Sequence, residues 1–201
     1  YQDSSVEITV SGGRLHFREP VDDEYATAVI RSTEGWSAPS LVLEALCEFT
    51  EGEGPPALEI VLADADGKPQ VSLQLGGGNY ISFDWIDEDG NSHGITQPAG
   101  SVLEGPVHVE IQVLEGRVIW KAGTVIHDEQ ISLEFGEAHV KLMYCGDTEG
   151  FAGEWAVDYV GVRRPSPASW LWLDIGPVSV PWPALLAVPV AAWLLLRRRG
   201  R

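Results

Sequence analysis

The sequence predicts an all-β domain over residues 1–164, built as an antiparallel jelly-roll β-sandwich, with one transmembrane helix after it. Three observations predict this fold class. Apolar and polar residues alternate over most of the first 164 residues, turn-forming glycines recur about every 8–12 residues, and a long uncharged run lies near the C-terminus. Alternation with a period of two is typical of half-buried strands, and many short strands separated by regular turns are typical of a sandwich.

The alternation places about a dozen short strands along the domain. They cover residues 6–10, 14–18, 25–30, 41–49, 57–62, 70–75, 79–85, 107–113, 117–121, 124–127, 130–135, 138–145 and 155–162. The Asp66-Gly67 step suits the positive backbone dihedral of a hairpin turn. Residues 86–105 show no alternation and are predicted to be a loop.

The domain is strongly acidic. Residues 1–175 hold all 30 acidic residues and nine of the 13 basic ones, which leaves a formal charge of −21. Such a charge repels phosphate, so nucleic acid is excluded as a partner. Solubility or a saline habitat explains the charge more simply than docking to a basic partner or collecting cations, and we favour the simpler explanation.

The uncharged run at residues 178–196 is predicted to be the transmembrane helix. A helix of that length spans roughly 28 Å, close to the thickness of a bilayer's hydrocarbon core. Trp182 and Trp193 lie near its two ends, where tryptophans favour the membrane–water boundary. Positive charges mark the cytoplasmic end of such a helix. The tail 197–201 is therefore expected in the cytoplasm and the domain in the periplasm or at the cell surface; its basic residues include Arg197, Arg198 and Arg199.

The stretch before the helix, residues 165–177, is predicted to be a linker rich in proline and tryptophan. Trp170 and Trp172 are expected to lie in the membrane interface or to dock on another membrane subunit. Pro189 is expected to kink the helix. The proline pair, the short apolar span and the terminal arginines together resemble the PEP-CTERM sorting signals of bacteria, with Trp182 in place of their central Glu.

Two Asp-rich turns are the candidates for a calcium site, because calcium binds six to eight oxygen ligands. Their carboxylates belong to Asp64, Asp66, Asp87 and Asp89. A tight Asp-Gly turn explains the same residues without a metal, so no metal or other cofactor is predicted.

The chain has two cysteines, Cys47 and Cys145. In an oxidising compartment they could form one disulfide, which would stabilise the fold by up to about 4–5 kcal/mol. They could equally be two separate buried thiols. The sequence leaves both alternatives open, because it does not show whether the two side chains meet.

The run Gly105-Pro-Val-His-Val-Glu-Ile-Gln-Val-Leu-Glu-Gly-Arg-Val-Ile-Trp-Lys-Ala-Gly123 resembles a hairpin of the concanavalin A/laminin G-like sandwiches. Residues 13–17 resemble their opening strand, and residues 154–162 resemble their closing strand. The resemblance implies a jelly roll and a superfamily of lectins, adhesion modules and glucanases. The glucanases carry a Glu-x-Asp-x-x-Glu strand, since a glycosidase needs two carboxyl groups at a fixed separation. No such run occurs here, and Glu154 and Asp158 do not give this spacing. We therefore expect no enzyme activity and no catalytic residue.

These features favour a non-catalytic accessory subunit of a larger membrane complex, such as a photosynthetic reaction-centre or respiratory assembly. Its partners would be the bilayer and other integral membrane subunits, contacted through the helix and the Trp-rich linker. The alternative is a surface-anchored glycan-binding or adhesion module of the laminin G or lectin type.

Overall fold

The structure is a computed structural model. It describes residues 6–19, 26–36, 40–52, 56–131, 133, 136–146, 153–165, 172–175 and 178–181. The chain forms two compact units, Tyr1–Arg164 and Pro165–Arg201. The described part of the first unit consists of two antiparallel sheets and one short 3-10 helix, Gly100–Leu103.

Thirteen strands build the two sheets. The seven-stranded sheet has the order β1 (Glu7–Ser11), β2 (Arg14–Glu19), β13 (Gly153–Arg163), β4 (Leu41–Gly52), β9 (Val107–Leu114), β10 (Arg117–Ala122) and β11 (Val125–Glu129). The six-stranded sheet has the order β3 (Thr27–Arg31), β12 (His139–Cys145), β5 (Ala57–Ala63), β6 (Pro69–Gly76), β7 (Tyr80–Ile86) and β8 (Ser92–Pro98). The late strands β12 and β13 lie between early strands, so the sandwich closes only when the end of the domain is in place.

The core lies between the two sheets, and the central strands supply every second residue to it. In β6, for example, Val71, Leu73 and Leu75 are buried in the core. Two tryptophans are the largest fully buried side chains, and each indole N–H has an acceptor. Trp155 donates to the Pro56 carbonyl at 3.0 Å, and Trp120 donates to the Ser72 carbonyl at 2.9 Å. Buried indoles with satisfied N–H groups stabilise a core without an unpaired donor.

The antiparallel β-sandwich predicted from the alternation is confirmed. The predicted loop at residues 86–105 is wrong in part, because it contains β8 and the 3-10 helix. Strand β8 is an edge strand whose side chains are all exposed except that of Gln97. A strand without a buried face has no apolar alternation to reveal it. The predicted strand at 130–135 is absent at Gln130 and Ile131, and residues 132, 134 and 135 lie outside the described ranges.

The described part of the second unit is a hairpin of β14 (Trp172–Ile175) and β15 (Val178–Pro181). The predicted helix at 178–196 is therefore wrong over its first four residues. Alternating valines, Val178 and Val180, favour a strand there. The rest of that prediction lies outside the described residues, as do Trp170, Trp182, Pro189, Trp193, Arg197, Arg198 and Arg199. No helix within the described ranges has the length and apolar character to span a bilayer.

Both cysteines are free thiols. Cys47 is buried in the core from β4 in the seven-stranded sheet, whereas Cys145 ends β12 in the other sheet, outside the core cluster. Burial raises the pKa of the Cys47 thiol to about 12 and that of Cys145 to about 11. The disulfide that the sequence allows does not form in this structure.

Candidate functional site

The outer face of the six-stranded sheet is polar and carries a cavity of about 380 Å³. This volume is within the range of small-molecule sites, about 300–1,000 Å³. Because β5, β6 and β7 send alternate residues into the core, the intervening residues face outward. The polar cavity is lined by six side chains that carry a carboxyl, amide or hydroxyl group, those of Glu59, Gln70, Ser72, Gln74, Asp84 and Ser92. Pro69, Val71, Trp85 and Ile86 complete the lining.

The strand register brings these side chains together. Glu59 of β5 lies opposite Gln74 of β6, and Ser72 of β6 lies opposite Asp84 of β7. Glu59 and Asp84 therefore lie on the two strands that flank β6. The backbones of β5 and β7 are about 10 Å apart, because this is two strand spacings. Ser72 lies between them and is only 4% exposed.

The two carboxyl groups are partly removed from water. Burial raises the pKa of Glu59, and the charge of Asp84 adds to this, whereas a hydrogen bond with Ser72 and the charge of Lys141 oppose it. Burial also raises the pKa of Asp84, opposed by a hydrogen bond with Ser82. Neither carboxyl group forms an ion pair with any side chain that the structure describes. Such carboxylates gain from a ligand that donates hydrogen bonds to them.

Two glycines give room to side chains of this face. Gly94 lies opposite Asp84, and a Cβ atom at position 94 would clash with Asp84 Oδ1. Gly76 lies opposite Tyr80, and a Cβ atom there would clash with the Tyr80 ring. The ring thus lies against the β6 backbone, and its hydroxyl accepts a hydrogen bond from Gln74 Nε2 at 3.2 Å. Tyr80 supplies apolar ring surface beside the polar cavity.

Two cationic side chains on this sheet face, Arg31 and Lys141, donate hydrogen bonds to the turn between β5 and β6. Arg31 of β3 donates from Nη2 to the Ala65 carbonyl at 2.7 Å and to the Asp64 carbonyl at 3.3 Å. Lys141 of β12 donates to the Gly67 carbonyl. The turn between β5 and β6 is therefore fixed against the sheet, next to the end of the cavity that Gln70 lines.

The two turns predicted as calcium candidates are closed by their own side chains. Asp64 accepts hydrogen bonds from the Lys68 N–H at 2.8 Å and from Gln70 Nε2 at 3.0 Å. Asp87 bonds His93 Nε2 at 2.7 Å and accepts from the Asn91 N–H at 2.8 Å. The hydrogen bond with His93 contributes most, and together with those from Asn91 it holds the pKa of Asp87 well below its usual range.

The described residues contain no group of three or more His, Cys, Asp or Glu side chains that could hold a metal ion. Asp66 and Asp89 lie in the same two turns as Asp64 and Asp87. The geometry of the described residues gives no support to the calcium candidates at these four positions.

The outer face of the seven-stranded sheet is different, because its carboxylates are ion-paired. Glu110 contacts Lys121 at 3.0 Å and Arg163 at 3.1 Å. Burial opposes ionisation of Glu110, but hydrogen bonds from Gln112 and Lys121 and the nearby cations outweigh it and lower the pKa. Arg14 and Glu48 pair at 2.6 Å on the same face. Unpaired, desolvated carboxyl groups thus distinguish the polar cavity from the opposite face.

None of the six cavity residues was a predicted site residue. The signal was present in β6, where Gln70, Ser72 and Gln74 alternate with Val, Leu and Leu. The outward side chains of this strand are two amides and one hydroxyl, with no charged group among them. The neighbours of that row in β5 and β7 become known only from the register, which the sequence does not give.

No protein-family model matches the sequence, and no curated protein is similar to it. Solved structures with a similar fold do exist. A carbohydrate-binding module of family 66 from Bacillus subtilis has a TM-score of 0.58 and 14% identity, over 79% of this chain and 91% of that chain. A family 7 alginate lyase has a TM-score of 0.55 and 12% identity, over 82% of this chain and 85% of that chain. A sialidase has a TM-score of 0.57 and 11% identity over 83% of this chain, which spans 17% of the sialidase.

These similarities contradict the prediction of an accessory subunit of a photosynthetic or respiratory membrane complex. The similar structures are carbohydrate-active enzymes and a carbohydrate-binding module, and partners within a membrane complex have no support. That prediction rested on the apolar tail, whereas the polar cavity is assembled from strands that the sequence does not pair. At 11–14% identity the likeness shows the fold alone, a jelly-roll β-sandwich.

Proposed function

We propose that the sandwich is a non-catalytic glycan-binding module that holds its ligand in the polar cavity. The observation that carries this proposal is the row of outward hydrogen-bonding side chains on β5, β6 and β7, which includes two desolvated carboxyl groups. Sugars present dense hydroxyl groups that both donate and accept. The similar folds of a carbohydrate-binding module, an alginate lyase and a sialidase support a carbohydrate ligand.

The lining residues suit this ligand chemically. The carboxylates of Glu59 and Asp84 accept hydrogen bonds from hydroxyl groups, and the side-chain amide of Gln74 both donates and accepts. Gln70, whose Nε2 donates to Asp64, offers its carbonyl oxygen as an acceptor. Hydrogen bonds to a charged acceptor are roughly twice as strong as neutral ones, so the carboxylates would contribute most to affinity.

The absence of catalysis is part of the proposal and is supported by the sequence of β5. The run Glu59-Ile-Val-Leu-Ala-Asp64 has its first carboxylate where the glucanase pattern has one. Val61, whose side chain is fully buried, stands at the position of the central Asp. Asp64 stands at the position of the last Glu, and its carboxylate is occupied by Lys68 and Gln70.

The test is a glycan array probed with the full chain, followed by calorimetric titration of the ligands that bind. Gln74→Ala removes a lining amide, and we expect roughly a tenfold loss of affinity, the equivalent of about 1.4 kcal/mol. Gln112→Ala is the matched control, because Gln112 is a half-buried glutamine on the opposite sheet face. Silence on the array, or equal losses in the two variants, would reject the proposed function.

Two further measurements test the other parts of the proposal. Binding should persist in a chelator, since no metal takes part. Incubation with the bound glycans should release no reducing ends. If reducing ends appear and Glu59→Gln abolishes them, the module is an enzyme and the non-catalytic part of the proposal is wrong.

A further inference from the structure

We infer that the polar cavity selects glycans without acidic groups: it binds neutral sugars and rejects uronate- and sulfate-bearing ones. This inference rests on the proposed function and deepens it by naming the ligand class. Three independent features of the described residues carry it, namely the charges that line the cavity, the engagement of the nearby cations, and the field of the whole domain.

The first feature is the pair of carboxyl groups that flank β6. Glu59 and Asp84 both line the cavity and form no ion pair in the described ranges. Burial makes the environment less polarisable than water, so like charges repel more strongly there. A ligand carboxylate or sulfate in the cavity would add a third negative charge. A hydroxyl group in the same place would donate a hydrogen bond instead.

The second feature is the engagement of the neighbouring cations. Binding of an acidic glycan requires donors that neutralise it, most often an arginine fork or a lysine. Arg31 and Lys141 extend from the same sheet face, but both donate to backbone carbonyls of the turn at residues 64–67. Lys68 directly follows that turn, is exposed, and lies near Asp64 and Asp66 in the chain. Among the residues that the structure describes, no free basic cluster therefore faces the polar cavity.

The third feature is the charge of the domain. Nine positive against 29 negative charges over residues 1–164 leave −20. The turn between β7 and β8, next to Ser92, adds Asp87, Glu88 and Asp89 close to the cavity. A field of this sign slows the approach of polyanions and acts over a Debye length of about 8–10 Å at physiological salt. Neutral glycans do not experience this barrier.

The test compares glycans that differ only in charge. β-1,4-linked mannan and mannuronate oligosaccharides of equal length differ at C6 alone, as do the corresponding glucan and glucuronate oligosaccharides. These four probes are titrated at low and at physiological salt, beside the neutral, uronate and sulfated classes of the glycan array. We expect the array ligands to be neutral, and the neutral member of any pair that binds to exceed its uronate by at least tenfold, with the larger ratio at low salt.

Two double variants separate the cavity charges from the general field. Glu59→Gln with Asp84→Asn removes two charges from the cavity. Glu48→Gln with Asp128→Asn removes two charges from the outer face of the seven-stranded sheet, so the net charge of the two proteins is the same. The readout is the ratio of the affinity for the neutral glycan to that for the acidic glycan. This ratio does not change if a variant weakens the binding of both glycans equally. We expect this ratio to fall roughly tenfold only in the cavity variant; the single variant Asp84→Asn, expected to fall by less, serves if the double variant does not fold.

The outcomes are distinguishable. No binding to any glycan rejects the proposed function, and the inference with it. Preferential binding of uronate or sulfated glycans overturns the inference but leaves a glycan-binding module. Equal changes of the ratio in the two double variants also overturn it, because selectivity would then come from net charge and not from the polar cavity.

Discussion

Trp120 and Ser72 are joined across the core by a hydrogen bond of 2.9 Å, from the indole N–H to the backbone carbonyl. Trp120 belongs to β10 in the seven-stranded sheet, and Ser72 lies in the middle of the polar cavity on β6. The indole also packs against Phe83 and Trp85 of β7, with ring centroids 6.1 and 5.8 Å apart. The two strands that carry Ser72 and Asp84 are therefore supported from behind by one buried side chain.

Trp120→Phe is expected to weaken glycan binding as well as the fold. The substitution removes the hydrogen bond to Ser72 and leaves a small cavity, at a cost of about 2–4 kcal/mol. Urea unfolding and calorimetric titration measure the two effects. Trp155→Phe is the matched control, because it loses an equivalent bond to the Pro56 carbonyl outside the cavity. Comparable destabilisation with unchanged affinity is expected there; equal loss of affinity in both variants would show that stability alone is measured.

Glu59→Gln is expected to stabilise the protein at pH 7 by about 1 kcal/mol, within the range of single stabilising substitutions. Burial raises the folded pKa of Glu59 above its unfolded value, so the folded state holds the proton more tightly. The favourable contribution of this group is complete below the unfolded pKa of about 4.3, and it is lost as the pH rises through the folded pKa. The stabilisation should therefore disappear below about pH 4 in thermal unfolding measured against pH.

Glu154→Gln is expected to change stability with pH in the direction opposite to Glu59→Gln. Burial opposes ionisation of Glu154, but hydrogen bonds with His16 and Thr50 and the charges of His16 and Arg18 outweigh it and lower the pKa. This carboxylate stabilises the fold above its unfolded pKa, and the contribution is lost as the pH falls through the folded pKa. The variant should be destabilised at pH 7 and equal to wild type in acid. If the stability difference from wild type changes with pH in the same direction for Glu59→Gln and Glu154→Gln, at least one of the two pKa directions is wrong.

Gly76→Ala is expected to displace the Tyr80 ring. The added methyl group clashes with ring carbons, and overpacking of this kind costs about 1–3 kcal/mol. Glycan affinity should fall as well, since the ring lies beside the cavity. Gly136→Ala is the control, because no atom lies within 4 Å of a Cβ there, and its effect should stay within about 0.5 kcal/mol. Thermal unfolding measures the stability of both variants, and titration measures their glycan affinity. Equal changes in the two variants would rule out a close Gly76–Tyr80 contact.

Thermal stability is expected to be the same with and without a reductant. Cys47 and Cys145 are free, and burial raises the pKa of each thiol, to about 12 and about 11. Both thiols should react slowly with a thiol reagent until the protein unfolds, when two equivalents should appear at once. A lower melting temperature in reductant would mean that a disulfide forms after all.

Local patterns were sufficient for most strands. Val107–Leu114 and Arg117–Ala122 form the antiparallel pair that their alternation predicts, because each strand is half-buried and a tight turn joins the two. The strand at Leu41–Gly52 likewise buries Leu41, Leu43 and Cys47 as predicted. The alternation within one strand predicts which of its residues face the core, and this prediction needs no other part of the chain.

The polar cavity and the edges were not predictable in this way. The pairing of Ser72 with Asp84 depends on the register between strands, which the core and the turns fix together. Strand β8 has no buried face, so its sequence reads as a loop. Val178–Pro181 has the composition of a membrane segment, yet pairs with Trp172–Ile175 as a hairpin, because apolar residues serve helices and strands alike.

The strands that carry the polar cavity follow one another along the chain, from Glu59 in β5 to Ser92 at the start of β8. Their inward positions belong to the core, and the outward positions face away from it. Ligand preference can therefore diverge by changes at alternate codons within one short stretch of the gene, while the scaffold stays intact. A library randomised at the exposed or half-buried outward positions between residues 59 and 92 would vary most of the recognition surface, while buried outward residues such as Val61 and Ser72 are kept to preserve the packing.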